Sequence, residues 1–392
     1  MLVIELVLLV WTAVGLGWWM LSCWLVNAST RQPQHKPAGP LPTLTVFKSL
    51  PPTAAEKDRL RLAAAIESFL VQLEADSQMI IGIEESELPV WKPILDRWSE
   101  QVQDGRLFIR TLSPPPPSTN PKIAKLEVLA PHATGECWLW SDADVFAPAG
   151  LLRYLRQELA DSTAGAVTTA YVVRSPERLP GMLDALFVNL EFLPGALLLG
   201  RRGSLDFAFG AATLFRAADF RARVSWSDLR SVLADDYELG QRLGRVRMSS
   251  SRVETLALST RWRQALSHYY RWQKTIRWCR PGSYLALLTV LPFLGWLVAV
   301  LVWPSAMALW AGLGSVWLLE AVAAGVMFRK LDCRLPANSW LLFAAWPPLR
   351  ALTWLAVWLP LSVGWGEDRE PWRKARRDDG HVVRKPGVGA CI

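Results

Sequence analysis

The chain has 392 residues, 51% of them hydrophobic and 20% charged, with a formal net charge of +8. That mixture excludes both a purely water-soluble globule and a bare membrane bundle, and the length leaves room for one soluble domain plus several membrane spans. The basic excess reads first as a mark of the cytoplasmic face of a membrane protein rather than as nucleic-acid affinity. Twenty-two tryptophans crowd toward the hydrophobic ends, where amphipathic rings favour the headgroup layer. The 5 cysteines are scattered with no C-x-x-C pair, so neither a disulfide framework nor a zinc site is expected.

In chain order, Leu2 to Val26 is apolar apart from Glu5 and long enough to cross a bilayer. No basic segment precedes it, and it is too long for the apolar part of a secretory signal, so residues 1–28 read as a retained membrane helix. Arg31, His35 and Lys36 place its C-terminal side in the cytoplasm. A Pro-rich linker over 29–43 leads into a domain expected over 44–265. There, apolar runs at Leu44 to Leu50, Met79 to Ile83, Leu107 to Leu112, Cys137 to Trp140 and Ala166 to Val173 alternate with helical spacing at Ala54 to Leu73, Trp91 to Val102, Ile123 to Leu129 and Leu151 to Leu159. This succession predicts an α/β domain with a mostly parallel sheet and helices on both faces. An interfacial basic-aromatic segment is expected over 266–283 and two transmembrane helices over 284–328, the second containing Glu320, a buried acid. Residues 339–363 are broken by Trp346-Pro347-Pro348-Leu349-Arg350, which predicts a re-entrant or interfacial helical hairpin. That keeps a basic tail, 364–392, in the cytoplasm.

Three segments carry candidate chemistry. The apolar run ending Trp140-Ser141-Asp142-Ala143-Asp144 puts two carboxylates at a strand's C-terminal end, where an open α/β sheet binds ligand. Such a pair holds Mg²⁺ or Mn²⁺ against a nucleotide diphosphate, or else simply solvates a turn. Asp235-Asp236-Tyr237-Glu238 opens a helix, either because acids suit a first turn or because one serves as general base. His268-Tyr269-Tyr270-Arg271-Trp272 begins an interleaved basic-aromatic stretch, an interfacial anchor or an arginine site for a departing diphosphate with Trp272 as a stacking wall. Its place beside a span argues against nucleic acid.

In this order, and followed by membrane segments, the three resemble inverting glycosyltransferases of the GT-A type. More narrowly, the chain is similar to the ceramide glucosyltransferase family and its bacterial, hopanoid-associated relatives. The resemblance rests on LTVFKSLPP from Leu44, NPKIAKLEVL from Asn120, WSDADV from Trp140, FGAATLFRAADF from Phe209, LADDYELGQRLG from Leu233 and HYYRWQKTIRWCRPGSY from His268. It implies a Rossmann-like GT-A domain on the cytoplasmic side of the cell's inner membrane, in a multi-pass protein of glycolipid biosynthesis. The implied partners are a UDP-sugar donor and a ceramide-, diacylglycerol- or hopanoid-like lipid acceptor in the bilayer.

Carried over by position, the resemblance makes Asp142 and Asp144 the metal carboxylates, with Asp142 also on the nucleotide sugar. Asp236 becomes the base, Arg271 and Trp272 the motif near the diphosphate, and Lys48 a residue beside the nucleotide. Two positions depart from the family. Its aspartate pair after the second strand is replaced by Glu84-Glu85-Ser86-Glu87, so Glu85 is taken as the uridine contact, with Glu84 and Glu87 as alternatives. The polar residue opening the basic-aromatic motif is His268 where Gln or Arg is usual. Two rival readings stand beside this one. A processive polysaccharide synthase would want more spans, and intact Asp142, Asp144, Asp236 and Arg271 argue against an inactive sugar-nucleotide-binding protein.

Overall fold

In the computed structural model, which describes residues 2–29, 40–52, 55–116, 119–201 and 203–360, four of the apolar runs form a parallel half-sheet. β1 (Leu44–Ser49), β2 (Ser77–Glu84), β3 (Leu107–Leu112) and β4 (Cys137–Asp142) lie in the order β3-β2-β1-β4. β1, β2 and β4 are buried along all but their last residue, which is why they read as unbroken apolar runs. Alternate residues feed two cores: Val46, Ile81 and Leu139 pack on one face with Leu62, Ile66 and Phe69 of helix Glu56–Leu70. Phe47, Ile80, Trp138 and Trp140 pack on the other with Ile123 and Leu126 of helix Pro121–Leu129. Ser49 is level with Gly82 and with Asp142, so the strand ends share one edge and open one crevice.

Beyond β4 the sheet continues through β7 (Ala212–Arg216), β6 (Ala166–Val172), β8 (Val246–Thr255) and the short β5 (Val145–Phe146). β7 runs antiparallel to both its neighbours, while β8 is parallel to β6. The expected helix over Trp91 to Val102 is interrupted. Helix Leu88–Leu95, with Pro93 inside it, gives way to a 3-10 turn at Asp96–Trp98 before Ser99–Gln103.

The N-terminal helix, Leu2–Ala28, folds against the far end of the chain. A Cβ on Gly15 would lie 2.7 Å from the Pro292 ring, and one on Gly295 would lie 2.5 Å from the Trp11 ring. Trp11 Nε1 donates to Leu288 O at 3.0 Å, and Trp296 Nε1 donates to Thr12 Oγ1 at 2.9 Å. Only glycine allows approaches this close. The first expected C-terminal span is bent by 69° between Pro281–Val290 and Pro292–Val302, at a proline that cannot continue the ladder. Met307–Lys330 is one continuous helix of 24 residues.

Two features of the apolar region differ from expectation. Over the described residues the hairpin is instead one helix, Ser339–Ala356, that runs through Pro347 and Pro348. Pro348 has no N–H for the carbonyl of Ala344 four residues earlier, and the Trp317 indole of helix Met307–Lys330 donates to that oxygen. Arg350 marks no turn; it is buried, with Nε donating to Glu191 Oε1 at 2.7 Å. Glu191 belongs to the second unexpected feature, a 22-residue apolar helix over Leu179–Gly200 that contains a π-turn at Val188–Phe192. Among the described residues, Leu2–Ala28, Leu179–Gly200 and Met307–Lys330 are long and apolar enough to cross a membrane, and the bent pair makes a fourth if it counts as one span. The sequence between residues 30 and 39 and the basic tail from 361 lie outside the described residues.

Candidate active site

The crevice is built around the end of β4. Asp142 is the last residue of that strand, and Asp144 sits in the turn to β5, where its Oδ2 accepts from Thr255 Oγ1 of β8 at 3.1 Å. Burial first, then the charge of Asp142, pushes Asp144 up to about 6. Two neighbouring carboxylates that resist joint ionisation are a site short of positive charge.

Asp236 approaches from the other side. It lies in the first turn of helix Asp235–Leu243, and its Oδ1 accepts from the backbone N–H of Tyr237 at 2.8 Å. Burial and then Asp235 push it up to about 7, against the pull of Lys122. Gly210 separates it from Asp142: a Cβ there would lie 3.3 Å from Asp236 Oδ2 and 3.7 Å from Asp142 Oδ2. Any side chain at 210 would fill the space on which both carboxylates converge.

Lys122 ties these groups together and was not singled out by the sequence reading. Its Nζ lies 2.6 Å from Asp142 Oδ1 and 3.6 Å from Asp235 Oδ2. Burial would pull its ammonium down, but Asp142 and Asp235 overcome that and hold it well above its ordinary value. Asn120 positions it by capping helix Pro121–Leu129, with Oδ1 accepting from the N–H of Lys122 at 3.1 Å and of Ile123 at 3.3 Å, while Nδ2 donates to Asp235 Oδ1 at 3.1 Å. A signal existed in Asn120-Pro121-Lys122, since a cation in a first helical turn opposes the macrodipole unless acids hold it.

Lys48, expected beside a nucleotide, lies under the end of β4. Its side chain is fully buried, and Nζ donates to Ser141 Oγ at 2.9 Å and to Asp142 O at 2.7 Å. Burial pulls it down to about 7 against the charges of Asp142 and Asp144. Its contact is with the main chain that presents Asp142. After β2, Glu84 is engaged by Lys125 at 2.7 Å, whereas Glu85 stands exposed in the 3-10 turn Glu85–Glu87.

The basic-aromatic residues gather around a partner that the sequence did not suggest. They lie on helix Trp262–Cys279 and face Asp184 of the apolar helix. His268 Nδ1 is 3.1 Å from Asp184 Oδ1, and its ring rests on Trp272 at 3.6 Å between centroids. Trp272 stacks on Phe187 at 4.7 Å. Burial lowers the pKa of His268 and brings Arg271 down to about 10, with Asp184 opposing both shifts. Thus Asp142, Asp144 and Asp236 lie around one crevice, while His268, Arg271 and Trp272 form a second group centred on Asp184.

The chain matches the family model described as glycosyl transferase family 21 over residues 7–376. No curated protein matches it significantly. Among solved structures it is similar to the mannosyltransferase PcManGT from Pyrobaculum calidifontis in complex with GDP-Man and Mn²⁺, at 17% identity over 90% of this chain and 97% of that one, with a TM-score of 0.47. It is also similar to GalNAc-T7 with UDP, GalNAc and Mn²⁺, at 12% identity over 55% of this chain and 44% of that one, with a TM-score of 0.36. The sheet order, with β7 reversed beside β4, gives the Rossmann-like GT-A domain expected from the sequence. Because the family match begins inside the first helix and runs past the last described one, the chain as a whole belongs to glycosyl transferase family 21, the ceramide glucosyltransferase family, and is a glycosyltransferase.

Proposed function

We propose that this enzyme is an inverting hexosyltransferase of a cell's inner membrane, moving a sugar from a UDP donor to the hydroxyl of a ceramide-, diacylglycerol- or hopanoid-like lipid. The observation that carries this reading is the convergence of Asp236 and Asp142 on one point above Gly210. Direct displacement needs a base on the acceptor hydroxyl opposite a leaving diphosphate, with both held in line. Asp236 takes the base role, and a carboxyl pushed up to about 7 is matched to accepting a proton near neutral pH. No covalent nucleophile is needed, so the anomeric configuration inverts.

Asp142 and Asp144 fit a hard divalent cation, Mg²⁺ or Mn²⁺. Their mutual repulsion is what a cation relieves, and no third His, Cys, Asp or Glu joins them among the described residues, which leaves coordination positions for diphosphate oxygens and water. When bound, the metal supplies counter-charge for the leaving diphosphate. Lys48 holds the Asp142 backbone in place, Glu85 is the exposed acid offered to the uridine, and Arg271 with Trp272 and His268 lines the membrane side of the donor site.

An acceptor dissolved in the bilayer suits a crevice flanked by apolar helices. Arg31, Arg329, Lys330 and Arg334 follow apolar stretches, which supports a cytoplasmic catalytic domain; a reporter fused after Ile392 is expected to score there too. The test is purified protein supplied with labelled UDP-sugars and total lipid extract. Label should enter a lipid with the opposite anomeric configuration to the donor, and Asp236→Asn should not support it. Retained configuration, or normal turnover by Asp236→Asn, overturns the mechanism.

A further inference from the structure

The loop that brings Gly210 to the carboxylates is pinned to β6. Thr168 Oγ1 accepts from the N–H of Phe209 at 2.8 Å and donates to Phe209 O at 3.1 Å. Further along β6, Tyr171 is in register with Val253 of β8, two residues before the Thr255 that holds Asp144. Tyr171 therefore ends up at the same edge of the sheet as the carboxylates.

Its ring is clamped. It stacks on Phe192 at 4.1 Å and 25°, and Phe192 meets Phe209 edge-on at 5.0 Å. Phe192 ends the π-turn of the apolar helix, and Asn189 in the same turn bonds both the N–H and the C=O of Val173, at 3.0 and 2.8 Å. The π-turn is thus stapled to the chain two residues beyond Tyr171. Helices rarely adopt this turn without a use for it.

The ring is fixed while its hydroxyl is unspent. Among the described residues no protein group bonds it, and the side chain is only partly buried, so the hydroxyl is open to a ligand. Burial, and after it the charges of Asp236, Asp142 and Asp144, keep the phenol protonated, so it stays a donor. On the mechanism above, the attacking hydroxyl arrives beside Asp236 and the diphosphate leaves beside Asp142 and Asp144. The transferred sugar must lie between, and Tyr171 offers a neutral donor at that edge of the sheet.

We propose that Tyr171 is a sugar-binding and specificity-determining residue, donating a hydrogen bond from its hydroxyl to one hydroxyl of the hexose being transferred. The inference rests on the UDP-hexose reading, and its test separates the two. Tyr171→Phe keeps the ring and its stack on Phe192 and removes only the hydroxyl, so its thermal midpoint should match that of the wild type. Wild type and variant are compared with the preferred UDP-hexose and with its 2-, 3-, 4- and 6-deoxy analogues, and calorimetry measures binding of UDP and of UDP-hexose.

The variant should lose about 10- to 100-fold in kcat/KM with the parent donor and bind UDP-hexose more weakly while binding UDP unchanged. One deoxy donor, already poor with the wild type, should suffer no further loss. A uniform loss across all deoxy donors points to the lipid hydroxyl instead and overturns the proposal, as does unchanged activity or an equal loss of UDP affinity. A wild type that binds UDP-hexose no better than UDP and transfers no sugar overturns the donor reading and this one with it.

Discussion

Two clusters of buried charge, one under the crevice and one among the apolar helices, are built on ion pairs of nearly equal length. Lys122 meets Asp142 at 2.6 Å and Arg350 meets Glu191 at 2.7 Å. Around Lys122 the balance is uneven: Asp142, Asp235 and Asp236 share one ammonium, and Asp144 stands beside them. Around Arg350 two acids, Glu191 and the buried Glu320, share one guanidinium, and Gln273 donates to Glu191 Oε2. Only the first cluster also opens to the crevice, since the Asp142 side chain is 40% exposed. A buried ion pair alone is weak evidence of function. An excess of one sign at an open edge is stronger evidence, because a ligand can relieve it.

That contrast can be broken, starting with the largest effect. Asp144→Ala should abolish turnover by about 10³-fold or more, because the diphosphate loses its counter-charge; activity that persists in this variant and in excess chelator would remove the metal from the account. Asp236→Asn should cost about 10²-fold in turnover with UDP-sugar affinity nearly kept. The same variant should raise the thermal midpoint, since a carboxyl forced up to about 7 by burial opposes folding at neutral pH.

The sign of the pH dependence follows. Asp236 binds its proton more tightly folded than unfolded, so its ionisation destabilises the fold as pH rises from the ordinary carboxylate range through about 7. Turnover moves the opposite way and should fall as pH drops through about 7, because the base is then protonated. Lys122→Met removes the cation that holds Asp236 down, so it should shift this acid limb upward and cost about 10-fold or more in turnover at neutral pH. An unshifted limb would mean that the lysine is not coupled to the base.

The second cluster should respond in stability instead. Arg350→Met leaves Glu191 and the buried Glu320 without their cation and should cost about 3 to 5 kcal/mol, while the double variant with Glu191→Leu should recover part of it. Thermal unfolding in detergent reads both. Trp317→Phe, which frees the Ala344 carbonyl left over by Pro348, should cost about 1 kcal/mol. Neither cluster-two change should alter kcat per folded molecule by more than a small factor, or the division between the two clusters fails.

The same division governs how much could be read from the sequence. β1, β2 and β4 were legible because strands buried on both faces must be apolar throughout, and Asp142, Asp144 and Asp236 because acids at a strand end and a helix start stand out locally. Leu179–Gly200 was not, because Pro180, Asp184, Asn189, Glu191 and Pro194 break its apolar run, and their partners lie elsewhere in the chain. Pro347-Pro348-Leu349-Arg350 suggested a turn for the same reason: the groups that make a continuous helix tolerable there, Trp317 and Glu191, are 27 and 159 residues distant along the chain. Lys122 needed three separate segments to converge before its role was visible.

The interlock between the first helix and the bent pair bears on how the protein is made. Trp11 and its acceptor Leu288 are 277 residues apart, so at 5 to 20 residues per second the first helix waits about 14 to 55 s on the ribosome's timescale for its partner. During that wait the notch at Gly15 and the Trp11 indole have nothing to close on, and the catalytic domain is synthesised with its bundle half built. The enzyme's assembly therefore ends where its chain began, and supplying Leu2–Ala28 as a separate peptide to a chain lacking it is a way to rebuild the bundle after synthesis rather than during it.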